Sequence, residues 1–156
     1  QTLDRFGEEP FRLRVAEDVY FVNRLAFIGP VAFCSAPVGA YRLRQGSLSS
    51  NRVSLNEGEV RAFELLEEHK QGLSKELTAA FDTAFAIKRR LYAKTLMGVG
   101  RKAEARQQLV RSLRHSLHPR SLVKSAGLLC ATHSPARLQP RWGAAVRSSG
   151  NGPRPA

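Results

Sequence analysis

The chain has 156 residues, 42% of them hydrophobic, which is enough to bury the core of one domain and excludes a fully disordered protein. Its formal net charge of +12 is unevenly spread, because residues 1–72 carry nine Lys and Arg against ten Asp and Glu, whereas residues 73–156 carry sixteen against three. No apolar run approaches the length that crosses a bilayer.

The chain opens with a turn-rich stretch in which FRLRVA, residues 11–16, alternates as a short strand or an extended arm would. It begins with neither Met nor an apolar leader, and we expect it to be a piece of a longer protein. The spacing then predicts a short helix over 17–28, ended by Gly29-Pro30. Its buried face is predicted to carry Phe21, Val22, Leu25 and Ile28.

Residues 31–51 are predicted to be extended and then irregular. VAFCSAPVGAYRLR, residues 31–44, is typical of one or two short strands interrupted at Ala36-Pro37 and Gly39. QGSLSSN, residues 45–51, is typical of a polar loop.

Residues 54–133 have helical periodicity. Ser54 and Glu57 have the spacing of a capping box and begin a helix, and a longer helix runs from about Ser74 to Gly98. Residues 101–119 predict a third helix and residues 119–133 a fourth. The inward positions are predicted to be Val60, Phe63 and Leu66 in the first, Leu77, Phe81, Ala84, Leu91 and Thr95 in the second, and Ala105, Leu109, Leu113 and Leu117 in the third.

These helices predict a set of antiparallel hairpins. One stretch, residues 91–119, is similar to a single helix-turn-helix unit of the tetratricopeptide arrays, with Ala93, Gly100, Ala103, Ala105 and Pro119 at suggestive positions. One unit is too short for an array. Residues 134–156 are rich in Pro, Arg, Gly and Ser, and they are predicted to be a disordered or loosely docked tail.

The cysteines and histidines do not predict a metal site. Cys34 and Cys130 lie far apart in apolar surroundings and are interpreted as two buried thiols. The four histidines lie in the helical part without a clustered acidic or cysteine partner and are interpreted as surface residues: His69, His115, His118 and His133.

Glu17 and Asp18 form an acidic pair at the start of the first helix. The positive end of a helix dipole favours charged carboxylates, so the pair can simply stabilise the helix end. A charged carboxylate can also accept a proton from a hydroxyl nucleophile. The residue types alone leave both interpretations open.

The residues that follow the acidic pair form an ordered series. After Glu17-Asp18 come Arg24, Gly29, Pro37, the pair Tyr41-Arg42 and then Gly46-Ser47, while Leu3 and Asp4 precede it. This order resembles the closing part of the catalytic domain of family 2 glycosyltransferases, over roughly residues 3–50. Helical extensions of the kind predicted for residues 54–133 follow that domain in many bacterial members.

The resemblance implies an α/β fragment followed by an all-α extension: the C-terminal piece of a GT-A nucleotide-diphospho-sugar transferase domain, plus antiparallel helical hairpins. The expected boundaries are 1–53 for the catalytic piece, 54–133 for the helical extension and 134–156 for the tail. Asp18 is then expected to be the general base of an inverting displacement, with Glu17 shaping the acceptor side. Arg24 and Gly29 are expected to be structural, Arg24 through an ion pair that fixes the helix.

Four further residues are expected to contact the diphosphate of the donor: Tyr41, Arg42, Arg44 and Ser47. Arg44 occupies a position where relatives commonly have histidine. Its guanidinium can neutralise a leaving diphosphate, but the same residue can equally be a solvated loop residue.

The resemblance also implies a nucleotide-sugar donor, a carbohydrate or lipid-linked acceptor and a divalent metal, Mg or Mn, in the complete enzyme. Nothing before Glu17 has room for the donor- and metal-binding half, so we expect this chain to bind no metal and to be inactive alone. A cytoplasmic location is expected, with peripheral contact between the basic helices and the inner membrane left open. The alternative is a basic helical interaction module that binds acidic proteins, anionic membrane or nucleic acid, the last being disfavoured by the scarcity of interleaved aromatics.

Overall fold

The computed structural model describes residues 13–32, 34–37, 39, 50–115 and 119–133. These residues form five helices in chain order: α1 Glu17–Ile28, α2 Arg52–Glu67, α3 Lys75–Gly98, α4 Lys102–His115 and α5 Pro119–His133. Each helix packs mainly on the next one along the chain, and α5 also touches α3. Among the described helices, none combines the length and apolar character that crossing a lipid bilayer needs.

The predicted α/β fragment is wrong for the part of the chain that the structure describes, which contains helices and no strand. Residues 31, 32, 34–37 and 39 are non-helical, as predicted, but they form no ladder. An extended segment becomes a strand only when a neighbour satisfies its backbone N–H and C=O groups, and no described segment does so here. The rest of the predicted strand-and-loop stretch, residues 33, 38 and 40–49, lies outside the described residues.

The predicted helices are confirmed, with one correction at the start of α2. Asn51 caps that helix, because its side-chain Oδ1 accepts the backbone N–H of Ser54 at 3.2 Å. The predicted capping box of Ser54 and Glu57 is therefore one turn too late. At the start of α3, Ser74 caps as expected, since its Oγ accepts the backbone N–H of Leu77 at 3.2 Å.

The turn between α3 and α4 is a tight hairpin built on Gly100. The backbone N–H of Gly100 donates to Met97 O at 3.1 Å, and that of Arg101 donates to Leu96 O at 2.9 Å. This pair of bonds is a Schellman motif, which places Gly100 in the left-handed region at φ +83°. The predicted antiparallel hairpin is thus confirmed, and two of its small residues, Ala93 and Ala105, are fully buried where the helices meet.

The core centres on α3 and contains a cluster of phenylalanine rings. Phe63 of α2 stacks on Phe81 and Phe85 of α3 with ring centroids 5.3 and 5.4 Å apart, and Phe27 of α1 meets Phe81 edge-on at 5.6 Å. Such pairs add about 0.5–1.5 kcal/mol each beyond the area they bury. The other large, fully buried apolar side chains are Tyr20, Leu66, Leu96 and Leu109.

Two predicted inward positions in the described part of the chain are wrong, and another, Leu117, lies outside that part. Val22 is 57% exposed and Leu91 is 44% exposed, although both lie on apolar stripes of their helices. In α1 the fully buried residue is Tyr20 instead, and in α3 the buried face has turned toward Phe85, Ala86, Ala93 and Leu96. The buried side of α3 is the side that α2, α4 and α5 cover, and the apolar stripe alone does not identify that side.

Small polar contacts seat α5 against α3 and α4. The hydroxyls of Ser112 and Ser125 are 3.2 Å apart and both residues are fully buried. Arg90 of α3 donates from Nη1 to Oγ of Ser121 at 2.6 Å. These bonds satisfy polar atoms that would otherwise be costly to bury. Because they form only when α5 lies at this position on α3 and α4, they also determine where α5 packs.

Candidate functional site

The acidic pair lies in the first turn of α1, and both side chains are exposed. Asp18 accepts the backbone N–H of Val19 through Oδ1 at 2.8 Å. It makes no other hydrogen bond to the described residues. One carboxylate oxygen thus supports the helix end, and the second remains available to solvent or to a bound hydroxyl.

The segment before α1 fixes where the acidic pair lies. Ala16 precedes the helix in the left-handed region at φ 67°, is 6% exposed and provides no side-chain cap. Val15 crosses directly over Gly58 of α2, where an added Cβ would lie 2.7 Å from the carbonyl oxygen of Val15. Gly58 allows this close approach because it has no Cβ.

Tyr20 anchors α1 in the core at 0% exposure, one turn after Glu17. The helix is therefore held on α2 through its buried side, and its first turn faces outward. The acidic pair is attached to a packed element, which is the arrangement that a precisely positioned carboxylate requires.

Arg24 and Gly29 were expected to be structural. Arg24 is half-buried and forms no ion pair with the described residues, and its Nε is buried without a hydrogen-bond partner among them. Gly29 closes α1 by donating its N–H to Leu25 O at 3.1 Å, but its φ of −165° is extended backbone that any residue adopts. The expected ion pair of Arg24 is thus not observed among the described residues, and the backbone conformation at position 29 does not require glycine.

The four residues expected to contact the donor diphosphate lie outside the described residues: Tyr41, Arg42, Arg44 and Ser47. Their expected roles stay predictions. In the described part of the chain, no group of three or more His, Cys, Asp and Glu could hold a metal ion.

The two cysteines are exposed, so their interpretation as buried thiols is wrong. Cys34 follows α1 in the non-helical segment, and Cys130 lies on the outer side of α5. An apolar neighbourhood in sequence predicts burial only if that side of the element is covered.

A polar cleft between α2, α3 and α4 was missed by the sequence interpretation. It has a volume of about 430 Å³ and is lined by Glu67, Lys70, Asp82, Arg89, Arg111, Arg114 and His115. Lys70 and Asp82 form an ion pair at 2.6 Å. Nδ1 of His115 lies 3.6 Å from Glu67 Oε1 and 3.8 Å from Asp82 Oδ1.

His115 is not a surface residue, since its side chain is only 11% exposed and its ring lies 4.2 Å from that of Phe85. Burial lowers the pKa of His115, and the nearby carboxylates, Glu67 first, oppose that shift. The spacing of Gln108, Arg111 and His115, which share one face of α4 beside Leu109, is the one sequence signal that could have indicated this position.

Arg89 closes the inner side of this cleft at 5% side-chain exposure. It donates to Gln108 Oε1 at 2.9 Å and to Glu64 Oε1 at 3.3 Å, and its guanidinium lies 4.3 Å from the centre of the Phe85 ring. Burial lowers the pKa of Arg89, and the carboxylate of Glu64 counteracts this. The cleft therefore joins three helices through ionic contacts, but its Lys and Arg outnumber its two carboxylates, and Arg89 Nε is buried without a hydrogen-bond partner among the described residues.

Comparison of this chain with protein families, with curated proteins and with solved structures found no match.

Proposed function

We propose that this chain supplies the acceptor-activating part of an inverting glycosyltransferase, with Asp18 as the general base. The observation that carries the proposal is the solvent-exposed acidic pair in the first turn of α1, at the head of the ordered series that resembles family 2 enzymes. Exposure of Asp18 agrees with this role, since a base must reach a bound acceptor hydroxyl.

The proposed chemistry is a single displacement. The acceptor oxygen attacks the anomeric carbon of the donor sugar and forms the new glycosidic bond, while the bond from that carbon to the diphosphate breaks on the opposite face. The hydroxyl proton passes to the free carboxylate oxygen of Asp18, and the nucleoside diphosphate leaves with the bonding electron pair. Glu17, beside it in the same turn, shapes the acceptor side.

The proposal does not depend on the predicted α/β fragment. It requires only that α1 present its first turn to an acceptor, and Tyr20 and the contact between Val15 and Gly58 hold that turn in place. Apart from the expected diphosphate contacts of Tyr41, Arg42, Arg44 and Ser47, donor binding and metal binding are assigned to residues that this chain does not contain. In that case the isolated chain is inactive with nucleotide-sugar donors.

Asp18→Asn in the full-length protein tests the base. Asparagine keeps the oxygen that accepts the N–H of Val19, but it cannot take up a proton at neutral pH. We expect turnover of nucleotide-sugar donors to fall by at least about a hundredfold, the low end for losing a general base, with little change in KM.

Glu68→Gln is the matched control, because it neutralises another exposed carboxylate, at the C-terminal end of α2, and turnover should remain close to that of the parent. Asp18→Ala removes both the proposed base and the acceptor of the Val19 N–H, whereas Asp18→Asn removes only the base. It should also lower the free energy of unfolding by about 0.5–1 kcal/mol, since the hydrogen bond in the first turn is lost. Near-normal turnover in Asp18→Asn would remove Asp18 from the mechanism.

A further inference from the structure

An open cleft lies between α3 and α5 on the surface of the helical unit. Its volume is about 600 Å³, and its lining alternates apolar and basic side chains from the two helices. Three of its apolar residues are unusually exposed for their size: Ile87 at 50%, Leu91 at 44% and Val123 at 72%. Exposed apolar side chains that cluster in one groove, rather than being scattered singly, mark a site of interaction.

The shape of the cleft fits a ridge of side chains. Leu128 is 9% exposed and forms the floor, and an added Cβ on Gly127 would meet nothing within 4 Å, so the middle of the cleft is empty. From Ile87 to Lys94 the α3 wall covers about 10 Å at 1.5 Å per residue, or two helical turns. A helix that inserts apolar residues at i, i+4 and i+7 matches this length.

The charge around the cleft is positive. Lys94 and Lys124 lie at its two walls with Arg90 deeper, and none of the described residues that line it is acidic. Residues 83–98 and 119–133, which contain these walls, carry six Lys and Arg and no Asp or Glu. A partner that places carboxylates on both sides of an apolar ridge would meet opposite charge at each wall.

The same charge argues against other occupants. Residues 134–156, which follow α5, contain four Arg and no acid, so the chain's own C-terminal segment would bring like charge to the cleft. A second copy that presented the same face would also oppose cation to cation. A bilayer surface takes up the apolar face of an amphipathic helix, whereas here the apolar groups line a groove between two helices.

We propose that the cleft between α3 and α5 binds a short acidic amphipathic helix of a partner protein. The apolar ridge of that helix packs on Ile87, Leu91 and Val123, and its flanking carboxylates pair with Lys94 and Lys124. This proposal is independent of the transferase function, because none of these residues belongs to the site at α1.

The probe is a fluorescent helical peptide of about 14 residues, with Leu at i, i+4 and i+7 and Glu flanking that stripe, titrated against the full chain. We expect saturable binding that weakens as salt increases, because the flanking charges are exposed. A peptide of the same composition in scrambled order, and one with Lys in place of Glu, should bind at least about tenfold more weakly.

Two variants of the chain test the cleft itself. Gly127→Leu places a side chain in the cleft at a position where an added Cβ meets nothing within 4 Å, and Lys124→Glu reverses the charge of one wall, so each should weaken binding of the acidic peptide by at least about tenfold. Lys75→Glu is the control, because it makes the same charge change on α3 about 18 Å before Ile87 and should alter affinity less than about twofold. A cooperative thermal unfolding transition by circular dichroism, at a midpoint no lower than that of the parent, shows that the variants fold.

Four outcomes would overturn the proposal. The first is a failure of the peptide test: the acidic peptide does not bind, it binds no more tightly than the scrambled peptide, or Gly127→Leu leaves its binding unchanged. The second is cleft-dependent binding to vesicles of phosphatidylcholine and phosphatidylserine without peptide binding. The third is a dimer in sedimentation that Gly127→Leu dissociates. The fourth is peptide binding that appears only after deletion of residues 134–156.

Discussion

Gly58→Ala tests the contact that holds the start of α1. In an open helix interior this substitution gains about 0.5–1 kcal/mol, since alanine has the higher helix propensity. At position 58 the new Cβ would lie 2.7 Å from the backbone oxygen of Val15 and 3.1 Å from its Cβ. Backbone cannot rotate away as a flexible side chain can, so the segment before α1 must move, at a cost of about 1–3 kcal/mol.

The expected net effect is a loss of about 1–2 kcal/mol in the free energy of unfolding, measured by urea denaturation with circular dichroism. Gly127→Ala is the matched control, because it is also a helical glycine but its Cβ would meet nothing within 4 Å. That variant should gain about 0.5–1 kcal/mol. If Gly58→Ala raises the free energy of unfolding as much as Gly127→Ala does, Val15 does not lie over Gly58, and this contact does not hold the acidic pair in place.

Three further predictions concern the helical unit. Gly100→Ala should lower the free energy of unfolding by about 1–2 kcal/mol, because its φ of +83° is strained for alanine; a loss below about 0.3 kcal/mol in urea denaturation would contradict this. Leu96→Ala should cost about 2–5 kcal/mol by leaving a cavity, whereas Leu91→Ala, at 44% exposure, should cost far less, and equal losses would refute the assigned core. Burial lowers the pKa of His115 below its ordinary 6.5, so as the pH falls the unfolded chain takes up this proton at a higher pH than the folded chain does. The free energy of unfolding should therefore be highest above pH 6.5 and decrease as the pH falls below it. His115→Gln should remove that slope from the pH series.

Most helix boundaries were predictable because they depend on local chemistry. Ser74 at the start of the predicted 74–98 helix and Gly98 at its end are signals that act within one turn, and α3 runs from Lys75 to Gly98 in the structure. The buried faces were less predictable. Val22 and Leu91 belong to apolar stripes, yet both are exposed, since a stripe becomes a core face only where another helix covers it.

The candidate site was predictable in part. The exposed acidic pair at the start of α1 follows from the helical pattern that begins at Glu17. The ionic cleft around His115 was not, because its members come from three helices and meet only after packing. The α/β prediction failed for a related reason, since strand formation needs a distant partner that the pattern of residues 31–44 does not identify.

The order of helix packing has a consequence for folding kinetics. Because each of the five helices meets mainly its successor, the contacts span short stretches of chain, and little loop-closure entropy is lost before they form. Chains with such low contact order fold within about microseconds to milliseconds. The hairpin closed at Gly100 offers an early nucleus, so temperature-jump relaxation should resolve a folding phase that slower mixing methods record as already complete.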